Sequence, residues 1–386
     1  MKCTLPFDGF FVNAMGKFSP CCALSVMNED SNEESSITID MDGDFINHER
    51  MVELRKEHAS CDIKNQTCID CIARYKGSDT FNSDLVSGEL PDTYDADTGR
   101  ISTPDFKHLN VAFSNRCNLA CRMCSSMNSN KFGEMMHNKI RLQDIIYLSD
   151  QWYNEENPGK VNNAFDDDSL GYLIEHSQNT DTITIHGGEP FLEPRVVQFL
   201  DSVKKTKKLY ITTNGTRKPR QTIIDAINNN NSGIMFSIEG TKDVQEYVRI
   251  GSKMSDIWDN IAYIREKCPS AEFYTNTVVT AYNWLDLADF IRLAPEFSKF
   301  GVVNMFLDWN ATYSHIDFFH VLSEEDFNEG KSRLTRVMYD IHHMDIPERL
   351  KQSCRKSVQQ FVHAKYQPNE RLKGHFNEYN KQVDDL

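Results

Sequence analysis

LNVAFSNRCNLACRMC, residues 109–124, joins an apolar run to a loop of three cysteines. LNVAF (109–113) reads as a buried β-strand. Cys117, Cys121 and Cys124 follow at once, with three residues and then two between them. A tetrahedral zinc site would need a fourth ligand, usually a second CxxC or a pair of histidines. None lies nearby. A cubane cluster has four irons, so three thiolates leave one iron open for an exchangeable ligand. The loop also sits at the C-terminal end of its strand, where parallel α/β folds carry their functional loops.

Working outward, further β-branched runs occur at TITI (182–185), LYITT (209–213), GIMFSI (233–238), FYTNTVV (273–279) and VVNMFL (302–307). Helical patterns lie between them, as at Val196–Val203 and Asp256–Glu266. In the latter, Ile257, Ile261 and Ile264 form one stripe, and Ser255 is placed to cap the start. Strands alternating with helices predict an α/β fold with a parallel sheet. Six strands suit an open, partial (β/α)6 TIM-like barrel over 107–310. Segment 125–180 is a long first connection with its own helix. Residues 311–386 read as a helical C-terminal region: Ser323 opens it, Pro347 suits a second helix start, and Leu350, Cys354, Val358 and Phe361 mark one face. Residues 77–106 are polar and rich in turn formers, which predicts a linker. Residues 1–76 form a small cysteine-rich, acidic N-terminal module.

The composition, 39% hydrophobic and 26% charged over 386 residues, is that of a globular protein of two or three domains. No stretch approaches the roughly 18–20 apolar residues of a membrane span. The start, MKCTLPFDGFF, does not read as a signal peptide. The expected compartment is the cytoplasm, with no membrane partner. The net charge of −15 argues against nucleic acid, whose binding relies on Lys and Arg at phosphates. Residues 1–100 hold nineteen acidic against nine basic residues, which reads as a solubilising face. Eleven cysteines in such a compartment point to metal or redox chemistry rather than disulfides. Cys268 and Cys354 stand alone in helical segments and read as buried small hydrophobes.

CxxxCxxC after a first strand resembles the signature of the radical S-adenosylmethionine (radical SAM) enzymes. Three more motifs follow in that family's order over about 110–310. HGGEP, made of His186, Gly187, Gly188, Glu189 and Pro190, resembles the GGEP motif that holds the methionine amino group of the cofactor. Glycines let the backbone approach a ligand, and a carboxylate accepts from an amine. TTNGT, with Thr213 and Asn214, resembles a common segment at the end of the next strand. Ser237 and Glu239 of SIEG, with the later Arg249, resemble a pattern contacting ribose and carboxylate, for which an arginine fork is suited. Glu239 stands where relatives often carry Asp, and Met123 where an aromatic is frequent; Met can still pack on the adenine.

The head resembles the twitch half-module, a shortened relative of the SPASM domain. Its pattern of a cysteine, a glycine hairpin with a second cysteine, then CxxC is matched by Cys3, Gly16, Cys21, Cys68 and Cys71. Cys22 or Cys61 are substitutes, Cys22 for Cys21 in particular. Four thiolates would fully ligate a second 4Fe–4S cluster, although the spacing also allows a four-cysteine zinc knuckle. Most relatives carry the module after the barrel; some phage and bacterial twitch proteins carry it first, as here.

The resemblance implies two 4Fe–4S clusters, S-adenosylmethionine, and an electron donor such as flavodoxin or ferredoxin. It implies reductive cleavage to a 5′-deoxyadenosyl radical that takes hydrogen from a substrate C–H bond, followed by oxidation or rearrangement aided by the auxiliary cluster. Asp308, ending the sixth strand, is placed to act as general base. The substrate is open between a small sugar- or cyclitol-like molecule and a peptide or protein. A non-catalytic iron–sulfur or zinc protein is the reading from another class.

Overall fold

The computed structural model describes residues 3–25, 36–75, 90–139, 159–203, 208–308 and 316–384. Among them the strands are β1 (Gly9–Val12), β2 (Lys17–Ser19), β3 (Ile39–Asp40), β4 (His108–Ala112), β5 (Ala120–Cys121), β6 (Thr182–His186), β7 (Lys208–Thr213), β8 (Ser232–Ser237), β9 (Arg249–Ile250), β10 (Glu272–Val278) and β11 (Val302–Asp308). The six runs expected as barrel strands are β4, β6, β7, β8, β10 and β11. The fold is α/β with a large, mostly parallel sheet. The chain divides into two compact units: Met1–Asn115 with Asn162–Tyr210, and Arg116–Val161 with Ile211–Leu386. β7 runs from the first into the second.

In the first unit the strand order is β6-β4-β1-β2-β3. β4 is parallel to both β6 and β1, and β2 and β3 continue antiparallel. The cysteine-rich head therefore adds strands to the sheet, with Phe11 opposite Asn110 and Val12 opposite Val111. One face of these strands is fully buried: Leu109, Val111, Ile183 and Ile185 are at most 1% exposed. Phe10 packs on Phe18 at 5.2 Å and on Phe106 at 4.7 Å. The β1–β2 hairpin turns at Gly16, whose φ of 77° favours glycine. Asn13 Oδ1 accepts the N–H groups of Met15 (3.0 Å) and Lys17 (3.1 Å) there. Buried Arg55 donates to the carbonyls of Pro6 (2.9 Å) and Ile46 (2.5 Å), tying helix Glu49–Ser60 to the chain start. The described end of the expected linker is tied in too: Asn47 exchanges hydrogen bonds of 3.0 and 2.8 Å with the backbone of Ile101.

In the second unit β10 lies between β8 and β11, all parallel, and β5 pairs antiparallel with β9. Helix Met254–Lys267 buries the expected stripe Ile257, Ile261 and Ile264. Its start differs from the expectation. Lys253 is the cap residue, Ser255 lies inside the helix, and the N–H of Met254 is taken by Glu246 Oε1 at 3.0 Å. A carboxylate from the preceding helix supplies the acceptor that a capping serine would have given. Ser323 caps helix Glu324–His343, through Asp326 N–H at 3.0 Å. Helix Glu348–Val362 follows Pro347 and buries Leu350, Cys354, Val358 and Phe361. It also protects edge strand β11. Ser353 Oγ accepts Met305 N–H (3.0 Å), Ser357 donates to the Met305 carbonyl (2.8 Å), and Gln360 donates to that of Leu307 (2.6 Å).

Two predictions follow from local packing. Trp284 is fully buried, stacks on Phe318 at 4.2 Å and donates to the Phe327 carbonyl at 3.0 Å. A Cβ at Gly330 would lie 2.1 Å from its Nε1, whereas one at Gly374, also helical, meets nothing within 4 Å. Gly330→Ala should lower the urea-denaturation stability by about 1–3 kcal/mol through overpacking, while Gly374→Ala should raise it by up to about 1 kcal/mol. Equal effects would contradict this packing.

Asp8 has a buried Oδ1 without a hydrogen-bond partner among the described residues, and burial pushes its carboxyl from the ordinary 3.8 to about 7. A raised folded value means its stabilising contribution is complete below about 3.8 and is lost as pH rises through about 7. Asp8→Asn should therefore gain melting temperature over the parent as pH rises from about 4 to 8; a pH-independent difference would count against it.

Candidate functional site

In the second unit the cysteine loop is held from several sides. Cys121 pairs with Arg249 across β5 and β9. Arg249 Nη1 lies 3.8 Å from Cys121 Sγ. Asn214 Nδ2 lies 3.9 Å from Cys117 Sγ and donates to Asn118 Oδ1 at 3.1 Å. The backbone N–H of Cys117 donates to Asn130 Oδ1 (2.9 Å), and that of Cys124 closes a turn on the Cys121 carbonyl (2.9 Å). Thr213 Oγ1 accepts Gly215 N–H at 3.1 Å, in the turn where Gly215 takes φ 73°. Asn214 and Arg249 thus lie beside two of the three cysteines. Met123 is half-buried in the same loop, and Ser237 ends β8. Asp308 ends β11, its carbonyl accepting Val279 N–H at 2.7 Å.

Glu239 anchors this region. It is 0% exposed. Its Oε1 takes Nε (3.0 Å) and Nη2 (2.5 Å) of Arg249, and its Oε2 takes the N–H of Val278 (2.8 Å). Its backbone N–H donates to Gln245 Oε1 (2.7 Å), and its carbonyl receives Asn283 Nδ2 (2.8 Å). Burial pushes the Glu239 carboxyl up, against the pull of Arg249. Burial acts to lower Arg249, but Glu239 and Cys121 outweigh it and hold the guanidinium above its usual range.

Sequence reasoning missed Arg122, which lies between the second and third cysteines. It is 6% exposed. It donates to the Tyr247 carbonyl (3.0 Å) and to Asp384 (2.6 Å), with its guanidinium 3.8 Å from the Tyr247 ring centroid. Tyr379 donates to the Arg122 carbonyl at 2.9 Å. Helix Glu370–Asp384 thus packs on the cysteine loop, with Tyr379 and Val383 against Ala120 and Phe132. Nothing in the local pattern near Arg122 signals a partner at the other end of the chain.

In the first unit, His186 ends β6 and the glycine turn follows. Gly187 has φ 118°, and a Cβ there would meet Ala112 Cβ and the Ser114 carbonyl at 3.0 Å. Gly188 N–H donates to that same carbonyl at 3.1 Å. Buried Glu189 accepts Phe191 N–H at 3.1 Å, where Pro190 opens a 3₁₀ turn. His186 instead stacks on Phe11 at 5.5 Å, and its buried Nε2 has no partner among the described residues. Burial holds its ring down at about 4, so it is neutral at pH 7. Glu193, also missed, accepts Ser114 Oγ (2.5 Å) and Arg195 N–H (3.0 Å).

The head cysteines fall into one neighbourhood. Burial pushes Cys3 up to about 11, with Cys71 adding to the shift. Cys68 goes to about 12 by burial, with Cys3 and Cys71 adding. Cys21 rises well above the ordinary value by burial, with Cys22, Cys3 and Cys68 contributing. Cys61 stands apart, exposed, at the end of its helix with φ 60°.

In the loop, burial carries Cys121 to about 12 despite Arg249. Cys124 is pushed up further, with Cys121 and Cys117 adding. Buried neutral thiols of this kind suit a cationic group that would deprotonate them on binding. Among the described residues no three His, Cys, Asp or Glu converge tightly enough for a single metal ion. A four-iron cluster takes thiolates, each on its own iron, and both cysteine groups offer free thiols of that donor type.

The Glu239–Arg249 pair makes a direct prediction. Glu239→Gln alone leaves a buried guanidinium with no counter-charge and should cost about 3–5 kcal/mol. Glu239→Gln with Arg249→Met should recover much of the loss. Urea-denaturation midpoints of the two single variants and the double variant test this; strictly additive losses would contradict a direct pair.

Residues 111–294 match the model of the Radical SAM superfamily. Comparison with curated proteins gives no match. Among solved structures, native anSMEcpe with bound AdoMet is similar at 16% identity and TM-score 0.40, over 60% of this chain and 60% of that one. Streptococcus suis SuiB bound to S-adenosylmethionine is similar at 13% identity and TM-score 0.38, over 60% of this chain and 47% of that one. SuiB bound to precursor peptide SuiA matches at 13% identity and TM-score 0.39, over 82% and 67%. The chain spans about three fifths of the length of the first of these. Among the described residues no helix is long and apolar enough to cross a membrane. The matched segment, 111–294, runs from the strand before the three cysteines to beyond Arg249 and spans just under half of the 386 residues.

Proposed function

We propose that the chain is a radical SAM oxidoreductase, or a related radical-based modifying enzyme, with a second iron–sulfur cluster in its N-terminal module. The observation that carries this is the loop of Cys117, Cys121 and Cys124 within the matched domain, two of its thiols already flanked by Asn214 at 3.9 Å and Arg249 at 3.8 Å. Those three cysteines would hold the open 4Fe–4S cluster. Cys3, Cys21, Cys68 and Cys71, with Cys22 beside Cys21, would hold the auxiliary one. When bound, the first cluster and S-adenosylmethionine supply a reductive cleavage that yields a hydrogen-abstracting radical.

The residues of this chain have separate tasks. Gly187 and Gly188 keep backbone close to backbone at the end of β6 and give Glu189 and Pro190 their turn; the cofactor's amino group is assigned to this turn. Asn214, with Thr213, supports Cys117. Arg249 places positive charge beside Cys121, which favours the thiolate form that a metal requires. Glu239 orients Arg249. Ser237 and Met123 are assigned to the ribose and adenine. Asp308, at the C-terminal end of β11, is assigned the proton that leaves the substrate in an oxidation. Electrons would come from a flavodoxin- or ferredoxin-like donor.

Anaerobic incubation with dithionite and S-adenosylmethionine should release 5′-deoxyadenosine. The Cys117/Cys121/Cys124→Ala triple variant should release none. Absence of cleavage by the parent with several reductants, or equal release by the triple variant, would overturn the reading.

A further inference from the structure

The sheet of the second unit has two unlike faces. On one, Ile234, Phe236, Phe273, Thr275, Thr277 and Met305 are all 0% exposed. On the other, the register sets Tyr274 beside Asn304, Asn276 beside Phe306, and Val278 beside Asp308. The rings of Tyr274 and Phe306 stack at 6.0 Å and 27°. Phe306 nonetheless keeps 37% of its surface exposed, while the next residue on either side is almost fully buried. Asn276 and Asn304 flank these rings half-buried, and their side chains make no hydrogen bond among the described residues. An open aromatic with two solvated amides at its side, in the middle of strands, is a ligand-binding arrangement rather than a packing one.

The chemistry of this face selects among ligands. Each Asn amide both donates and accepts. Asp308, at the end of the row, brings negative charge. The cation at the other end, Arg349, is paired with Glu272 at 3.0 Å, and the Tyr274 hydroxyl also donates to Glu272. Nothing on the row therefore favours a phosphate or a carboxylate. A peptide added as an extra strand is also disfavoured, because Ser353, Ser357 and Gln360 already occupy the edge groups of β11. Hydroxyls satisfy amides in both directions, and the C–H face of a saturated ring suits an exposed aromatic.

We propose that this face of β10 and β11 binds the substrate, and that the substrate is a neutral, hydroxyl-bearing ring stacked on Phe306 with its hydroxyls on Asn276 and Asn304. The word substrate rests on the enzyme reading above; the binding itself needs no radical step.

The test is saturation-transfer NMR on the full chain, purified anaerobically, with four probes at millimolar concentration: myo-inositol, D-glucose, glucose 6-phosphate and a neutral capped dipeptide. Transfer to the ring C–H protons of inositol or glucose is expected. Affinity should fall about tenfold in Phe306→Ala, as loss of an aromatic contact implies. Asn304→Leu should weaken it comparably, and both variants should keep the parent's circular-dichroism spectrum, Phe306→Ala with a lower melting temperature from the lost Tyr274 contact. Lack of binding by both neutral rings, equal binding by the parent and both variants, or preference for the phosphate or the dipeptide would overturn the proposal. Ring binding without release of 5′-deoxyadenosine would instead sink the radical reading, and release without ring binding would sink this one alone.

Discussion

A single buried ion pair organises the second unit. Glu239, fully buried, spends both oxygens and both backbone groups on fixed partners: Arg249, the Val278 N–H, Gln245 and Asn283. A charge placed so deep is costly unless every lone pair is used. Here satisfaction of the carboxylate aligns three elements: the end of β8, the strand β9 that Arg249 opens, and the end of β10. Because β9 pairs with β5, the same interaction fixes Cys121, and Arg249 then presents a guanidinium nitrogen to its sulfur. Thiolate chemistry needs nearby positive charge, and Arg249 supplies it from a buried, fixed position, partly offset by Glu239.

The sheet separates two jobs. Its fully buried faces carry aliphatic and aromatic packing, while the opposite faces carry Asn, Tyr, Ser and the terminal Asp308. Strand alternation makes this economical: every second residue can be chosen for chemistry without disturbing the core. The loops at the strand ends, with cysteines after β4 and glycines after β6, then add the groups that strands cannot offer.

The central strands were legible because each is a run of β-branched or aromatic residues bounded by turn formers. The cysteine loop was legible because thiols at such spacing have few structural uses. The head strands were not. GFFV, KFS and ID are four, three and two residues long, too short for periodicity to register, and the pairing of GFFV with β4 is non-local. Glu239 and Arg249 were each read as ligand contacts, since the spacing alone cannot say that the helix between them brings one onto the other. Arg122 escaped for a similar reason: its partner Asp384 lies at the far end of the chain. Ser255 misled because a carboxylate from the preceding helix took the role assigned to its hydroxyl.

The central claim is that one cluster is held by three cysteines and a second by the head. Iron and acid-labile sulfide counted per chain after anaerobic reconstitution test it most directly. The account predicts about eight irons in the parent and about four in the Cys117/Cys121/Cys124→Ala variant. Zinc in place of iron, or an iron count that the three substitutions leave unchanged, would contradict it.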